Sequence, residues 1–154
     1  MHSRIAQLVS LFESGHTVPT EPMPVLWQRA DSGERPRVAV VLHAHYPDVA
    51  VALLRRIDEL GVPFDVFATT SRDDVTDALT ASLPSNVRSF TVFSCDNIGR
   101  DVLPLVRTLA TADLSTYAAV LKVHTKKTVG QTYGEKWRDE IVDALLPEPA
   151  HRAD

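Results

Sequence analysis

The chain contains a single cysteine, Cys95, in 154 residues. One thiol excludes an intrachain disulfide, and with it the stapled frameworks of small secreted domains. No apolar run approaches the ~18 residues that a membrane-crossing helix needs. Positive charge is in deficit. The formal net charge is −4, so bulk electrostatics do not make the molecule a binder of nucleic acid or of anionic membranes. Any anion site must be a local concentration of cations. The sequence has no Walker loop, no Gly-x-Gly-x-x-Gly and no ordered Ser/His/Asp set, so it supports neither a P-loop enzyme nor a dinucleotide dehydrogenase. There is also no internal repeat and no low-complexity stretch. The opening "MHSRIAQLVSLFESG" has no long apolar core and no small-residue cleavage site, which argues against a secretory signal. The expected compartment is the cytoplasm, including the inner face of the membrane.

The rest of the composition is ordinary for a globular protein, with 44% hydrophobic and 23% charged residues. The length suits one domain with a core that needs no staples. Ile5, Leu8, Val9 and Phe12 fall at helical spacing and predict a short amphipathic helix over residues 4–13. Pro19, Pro22 and Pro24 then predict an extended lead-in that Trp27 docks on the body.

From Arg37 onward, strand-like and helix-like segments alternate. "RVAVVLHAH", "FDVFATT", "VRSFTVFSC" and "YAAVLKVHT" read as strands covered on both faces. "PDVAVALLRRIDELG", "SRDDVTDALTASL", "VLPLVRTLATAD" and "EKWRDEIVDALL" read as helices. Pro47 suits the first turn of the first of these helices, Gly61 its end, and Ser71 an N-cap for the second. The fold class is therefore α/β: a Rossmann-like three-layer domain with a mostly parallel four-stranded sheet, plus the N-terminal amphipathic helix. The expected organisation is a lead-in over 1–36, the α/β domain over 37–147 and a tail over 148–154. If the four strands order as 3-2-1-4, the first and last are neighbours, and a ligand crevice opens at their carboxyl ends.

Three polar clusters would meet there. "KVHTKK" ends the last strand with Lys122, His124, Thr125, Lys126 and Lys127. Lysines at that position suit a diphosphate, with the threonine adding hydrogen bonds; a solvated basic turn is the plain alternative. "DNIGRD" offers Asn97, Gly99, Arg100 and Asp101 at a βα turn. There Gly99 admits a positive φ, Arg100 reaches an anion, and Asp101 caps the next helix or acts as a base. "HAHY" supplies His43, His45 and Tyr46. Histidines at a strand end serve as hydrogen-bonded structural groups or general bases, and a His43–His45–His124 metal site ranks below both readings. Arg138, beside the apolar face of the last helix, can reach the same crevice. With no Asp-x-Asp pair, no metal–diphosphate motif is present. No cofactor is expected, and a divalent metal is left open. Cys95 reads as a small buried residue.

These clusters resemble the rhamnan synthesis F protein family of bacterial polysaccharide loci. The resemblance rests on "VLHAHYPD", "FDVFATT", "NIGRDVLPLV", "YAAVLKVHTKKT" and "GEKWRDEIVDALL", covering roughly residues 37 to 147. Asn97-x-Gly-Arg-Asp-x-x-Pro104 and Lys122-x-His-Thr-Lys-Lys127 are its most specific parts. Ile98 departs from the family's frequent basic residue, and Thr128 replaces a usual serine. The resemblance implies glycosyl transfer, notably of rhamnose, from a dTDP-rhamnose-like nucleotide-sugar to a glycan acceptor. Asp101, His45 and His124 become candidate catalytic groups. His43, Asn97, Gly99, Arg100, Lys122, Thr125, Lys126, Lys127 and Arg138 become candidate substrate-binding groups. The sequence ends soon after the last helix, so an acceptor-binding half is expected elsewhere. A non-catalytic glycan-binding or scaffold module and a histidine-dependent phosphate-ester enzyme are the rival readings. The N-terminal helix is the expected contact for a partner domain or a second copy.

Overall fold

The computed structural model describes residues 22–30, 38–125, 140 and 142–144. Its elements in chain order are β1 (Val25–Ala30), β2 (Val38–His43), α1 (Pro47–Asp58), β3 (Phe64–Thr70), α2 (Asp73–Ala81), β4 (Val87–Ser94), α3 (Val102–Thr111) and β5 (Ala119–His124). They form a five-stranded sheet of order β1-β4-β3-β2-β5. The pairs β2–β3, β3–β4 and β2–β5 are parallel, and β1–β4 is antiparallel.

Side-chain alternation divides the sheet's two faces. Val40, Leu42, Val66, Ala68, Phe90 and Val92 pack with Val49, Ala50, Leu53, Leu54 and Ile57 of α1 and with Val75 and Leu79 of α2. Ala39 and Val41 point the other way, toward Leu105 and Leu114 on the side of α3. β2 is therefore buried on both faces, as its unbroken apolar run requires. The crossovers from β2 to β3 to β4 step across the sheet in one direction with α1 and α2 on one face. The β4-to-β5 crossover returns in the other direction and carries α3 on the opposite face.

Local chemistry explains the helix ends. Pro47 sits in the first turn of α1 with Asp48 beside it, and Arg55 and Arg56 lie in the last turn, each suited to the helix dipole. Gly61 takes φ +66° just beyond, where its N–H reaches Asp58 O at 3.0 Å. In α2 the N-cap is Arg72 and not Ser71, and no side chain caps the helix. Thr70 Oγ1 accepts the Arg72 N–H at 3.2 Å, and the Arg72 guanidinium binds the Asp74 carboxylate at 2.9 and 2.6 Å.

The sheet has five strands where the sequence predicts four. The residues expected as lead-in include β1, which pairs with β4 through Trp27↔Val92 and Arg29↔Phe90. Its side chains are mostly exposed, so it lacks the apolar signature of the buried strands, and Pro22 and Pro24 just before it suggest an unpaired segment. Trp27 docks as predicted, edge-on to Phe90 with ring centroids 5.6 Å apart. The predicted N-terminal helix over 4–13 lies outside the described residues. Of the predicted last helix, residues 140 and 142–144 are helical, and Val142 packs on the α1 side of the core.

One carboxylate ties α1 to β4. Asp58 accepts from Asn86 N at 2.8 Å, Asn86 Nδ2 at 3.0 Å and Ser85 Oγ at 3.1 Å. Burial alone would raise its pKa, but the hydrogen bonds from Asn86 and Ser85 outweigh it and hold the group below the usual carboxylate range. A depressed carboxylate stabilises the fold above its unfolded pKa and loses that contribution as pH falls through the folded value. Asp58→Ala is expected to lower unfolding free energy by about 1–2 kcal/mol at pH 7 in urea titrations, the difference from wild type shrinking below about pH 4.

Candidate functional site

The register of β5 on β2 sets the site. The two strands run parallel from Val38↔Ala119 to His43↔His124, so two histidines end adjacent strands side by side. The helical crossovers diverge to opposite faces at this pair, and in open α/β sheets that is where ligands bind, outside the carboxyl ends of the strands. The loop between β4 and α3 supplies Asn97 and Asp101 to the same edge.

Lys122 and His124 share the α3 side of β5, two residues apart, and both meet Asp101. The Lys122 ammonium donates to Asp101 Oδ2, and His124 Nδ1 lies 3.5 Å from the same oxygen. Lys122 Nζ is also 3.3 Å from His124 Nδ1. Burial pushes the Asp101 pKa up, but the Lys122 hydrogen bond and the charge of His124 pull harder, leaving it below the usual carboxylate range. Asp101 occupies the N-cap position of α3 as predicted but makes no capping bond. Its side chain turns to β5 instead.

A second group lies next to it. His43 is buried, with Nδ1 3.0 Å from Thr69 Oγ1 and Nε2 3.5 Å from Asn97 Oδ1. Asn97 Nδ2 is 3.4 Å from His45 Nδ1, so one amide bridges the two histidines. His45 sits in a bend past the end of β2, its ring packed edge-on against Tyr46. Burial lowers the His43 pKa. The Asn97 hydrogen bond and the Asp101 charge oppose that shift, and the charges of His124 and His45 assist it.

Thr125 is buried, and its hydroxyl accepts the backbone N–H groups of His45 at 2.6 Å and Tyr46 at 3.1 Å. Its own N–H donates to His43 O at 3.0 Å. The threonine thus clasps the "HAHY" turn to the end of β5. Gly99 takes φ +68°, and a Cβ there would sit 2.9 Å from Leu103 Cβ. Arg100 follows at φ 59°, a left-handed conformation that costs a bulky residue about 1–3 kcal/mol. That backbone presents Arg100 to solvent and turns Asp101 toward β5.

The structure therefore joins Asp101, Lys122 and His124 in one cluster and His43, His45 and Asn97 in a neighbouring one. Lys126, Lys127 and Arg138 lie outside the described residues. Among the described residues, no group of three or more His, Cys, Asp or Glu side chains is placed to hold a metal ion. Cys95 is buried, and burial raises its thiol pKa against the pull of Arg107, consistent with a packing role. Sequence reasoning missed Thr69. It lies opposite His43 in the β2–β3 register, and a polar residue closing the otherwise apolar "FDVFATT" was the available signal.

The fold and site define an α/β domain that gathers histidines, a lysine and an ionised carboxylate at the carboxyl edge of a mostly parallel sheet. The chain belongs to the rhamnan synthesis protein F family, whose profile matches residues 21–152 and so takes in β1. The family is described by rhamnan synthesis. It is similar to the uncharacterised protein WxcX of Xanthomonas campestris pv. campestris, strains B100 and ATCC 33913, at 34% identity over 111 residues in each case. That stretch is 72% of this chain but 16% of each relative, so the chain spans a minor part of their length. No solved structure matches. Among the described residues, no helix is long and apolar enough to cross a membrane.

The lowered His43 pKa has a measurable consequence. Between its unfolded value near 6.5 and its lower folded value, the unfolded chain binds the proton first. His43 thus favours the fold fully above about pH 6.5 and progressively less as pH falls. Imidazole NMR is expected to show His43 titrating below 6.5, and His43→Gln to flatten the loss of stability between about pH 6.5 and 5. A His43 midpoint at or above the ordinary value would contradict this.

Proposed function

We propose that this domain binds a nucleotide-activated sugar of the dTDP-rhamnose kind in the β2–β5 crevice and transfers the sugar to a glycan acceptor in the cytoplasm. The strand order, with helix layers on both faces, supports a Rossmann-like reading of the domain. The observation that carries the proposal is the Lys122–Asp101–His124 cluster.

Asp101 is a poor base because its pKa is held low. It is well suited to orient one. His124 Nδ1 faces both the Asp101 carboxylate at 3.5 Å and the Lys122 ammonium at 3.3 Å; in the tautomer that donates from Nδ1 to Asp101, the lone pair on Nε2 is left to accept a proton. In the transfer, the acceptor oxygen forms a bond to the sugar's anomeric carbon and gives its proton to His124. The bond from that carbon to the phosphate oxygen breaks, and the nucleoside diphosphate leaves with the electron pair. Lys126, Lys127 and Arg100 supply positive charge to that leaving group. His45 has the complementary role. With the Asn97 amide donating to its Nδ1, it keeps a proton on Nε2 and offers an N–H to a phosphate or sugar oxygen. In these tautomers the two histidines serve as proton acceptor and hydrogen-bond donor.

A binding module without catalysis is the second reading, favoured by the Lys122 ammonium and Asp101 carboxylate being engaged with each other. Calorimetry and a transfer assay with dTDP-rhamnose separate the two. The proposal expects wild type to bind, and Lys126→Ala/Lys127→Ala to bind at least about tenfold more weakly. His124→Ala should retain binding but lose about 10²–10⁴-fold in transfer rate. Binding without transfer by wild type would favour the second reading. Equal binding by wild type and the double variant, or none by either, would overturn the site.

A further inference from the structure

Four side chains form a row from the sheet interior outward: Thr69, His43, Asn97 and His45. Thr69 and His43 face each other across the β2–β3 register. Thr69 is 1% exposed, and its hydroxyl lies 3.0 Å from His43 Nδ1 and 3.5 Å from Leu42 O. His43 Nε2 lies 3.5 Å from Asn97 Oδ1, and Asn97 Nδ2 lies 3.4 Å from His45 Nδ1. Backbone bonds hold the inner end in place. The Ala44 N–H donates to Thr69 O at 2.9 Å, and the Thr125 N–H donates to His43 O at 3.0 Å. At the outer end His45 is half-buried and Asn97 is exposed.

Each bond in such a row takes one donor and one acceptor. A neutral imidazole has one N–H and one bare nitrogen, and an amide has a donating end and an accepting end. The row therefore runs with one of two polarities. In the outward one, the Thr69 O–H donates to His43 Nδ1, His43 Nε2–H donates to Asn97 Oδ1, and Asn97 Nδ2–H donates to His45 Nδ1. In the inward one every bond reverses, the Asn97 amide turns over, and the Thr69 proton is left with Leu42 O at 3.5 Å. An O–H···O bond is ordinarily about 2.5–3.0 Å, and a buried donor without a good acceptor is costly. The hydroxyl proton thus favours the outward polarity, in which it goes to His43 at 3.0 Å. We propose that Thr69 is a positioning residue: acting through His43 and Asn97, it fixes the His45 tautomer whose proton is on Nε2. The exposed amide of Asn97 can turn to suit either polarity, so the buried end of the row decides between them. In this tautomer His45 has an N–H to give to a phosphate or sugar oxygen, a use that rests on the function proposed above.

Long-range proton–nitrogen spectra of the imidazole rings test this on the full chain without ligand, at about pH 8, where ordinary imidazoles are neutral. Wild type is expected to carry the ring proton on Nε2 at both His43 and His45. Asn97→Asp, at an exposed position, places an acceptor against both rings. It should leave the His43 proton on Nε2 and move the His45 proton to Nδ1. Thr69→Val removes the hydroxyl that sets the polarity, so both rings should become mixtures of tautomers. Thr69→Ser restores the hydroxyl and should restore the wild-type pattern, which a purely packing role for Thr69 does not predict. A His45 proton on Nδ1 in wild type would overturn the proposal. So would an unmoved His45 proton in Asn97→Asp, or wild-type ring patterns in Thr69→Val. These spectra need no nucleotide-sugar, so their failure is distinguishable from failure of the proposed function.

Discussion

The parallel pairing of β5 with β2 is the constraint on which the rest of the structure depends. It is the point where the chain, having stepped from β2 to β4, returns across the sheet to β2's other side. That return sends α3 to the face opposite α1 and α2 and brings the end of "LKVHT" beside the end of "VVLHAH". Thr125 then locks the two ends through three backbone hydrogen bonds, two to its hydroxyl and one from its amide. A one-residue slip in this register would turn Lys122 and His124 to the α1 side and separate them from Asp101.

The loop between β4 and α3 gives up local stability to complete the site. Asp101 holds the N-cap position, where a capping aspartate typically contributes about 1 kcal/mol, yet it makes no capping bond. Arg100 adopts a left-handed backbone that favours glycine. Both features turn the Asp101 carboxylate toward Lys122 and His124. Because side chains of both Lys122 and Asp101 are about 30% exposed, their ion pair contributes little net stability. Its consequence is electrostatic: the carboxylate stays ionised beside the His124 ring.

Much of this was legible in the sequence because the central strands are apolar, β-branched and bounded by turn residues. β3 falls on the predicted segment, and β2, β4 and β5 end within a residue or two of theirs. Right-handed crossovers leave few arrangements of the four parallel strands, and the order 3-2-1-4 taken as a condition in the sequence reading is the order observed. β1 was not legible, because an exposed edge strand that pairs on one side has no apolar alternation to reveal it. For the site, residue types and strand ends located Asp101, Lys122, His124, His43, His45 and Asn97. Their pairings were not readable. Whether Asp101 caps α3 or turns to β5 depends on the φ values at Gly99 and Arg100, and Thr125's hydroxyl is taken by backbone amides that no motif names. Thr69 became visible as the partner of His43 only once β3 was set in register with β2.

The central claim is that the β2–β5 crevice is where a nucleotide-activated sugar binds. Chemical-shift mapping of the isotope-labelled chain with a nucleoside diphosphate tests it most directly. The account predicts that the shifts centre on His43, His45, Asn97, Asp101 and His124 at the carboxyl ends of β2 and β5. Shifts confined to the amino ends of the strands, or to α1 and α2, would contradict it.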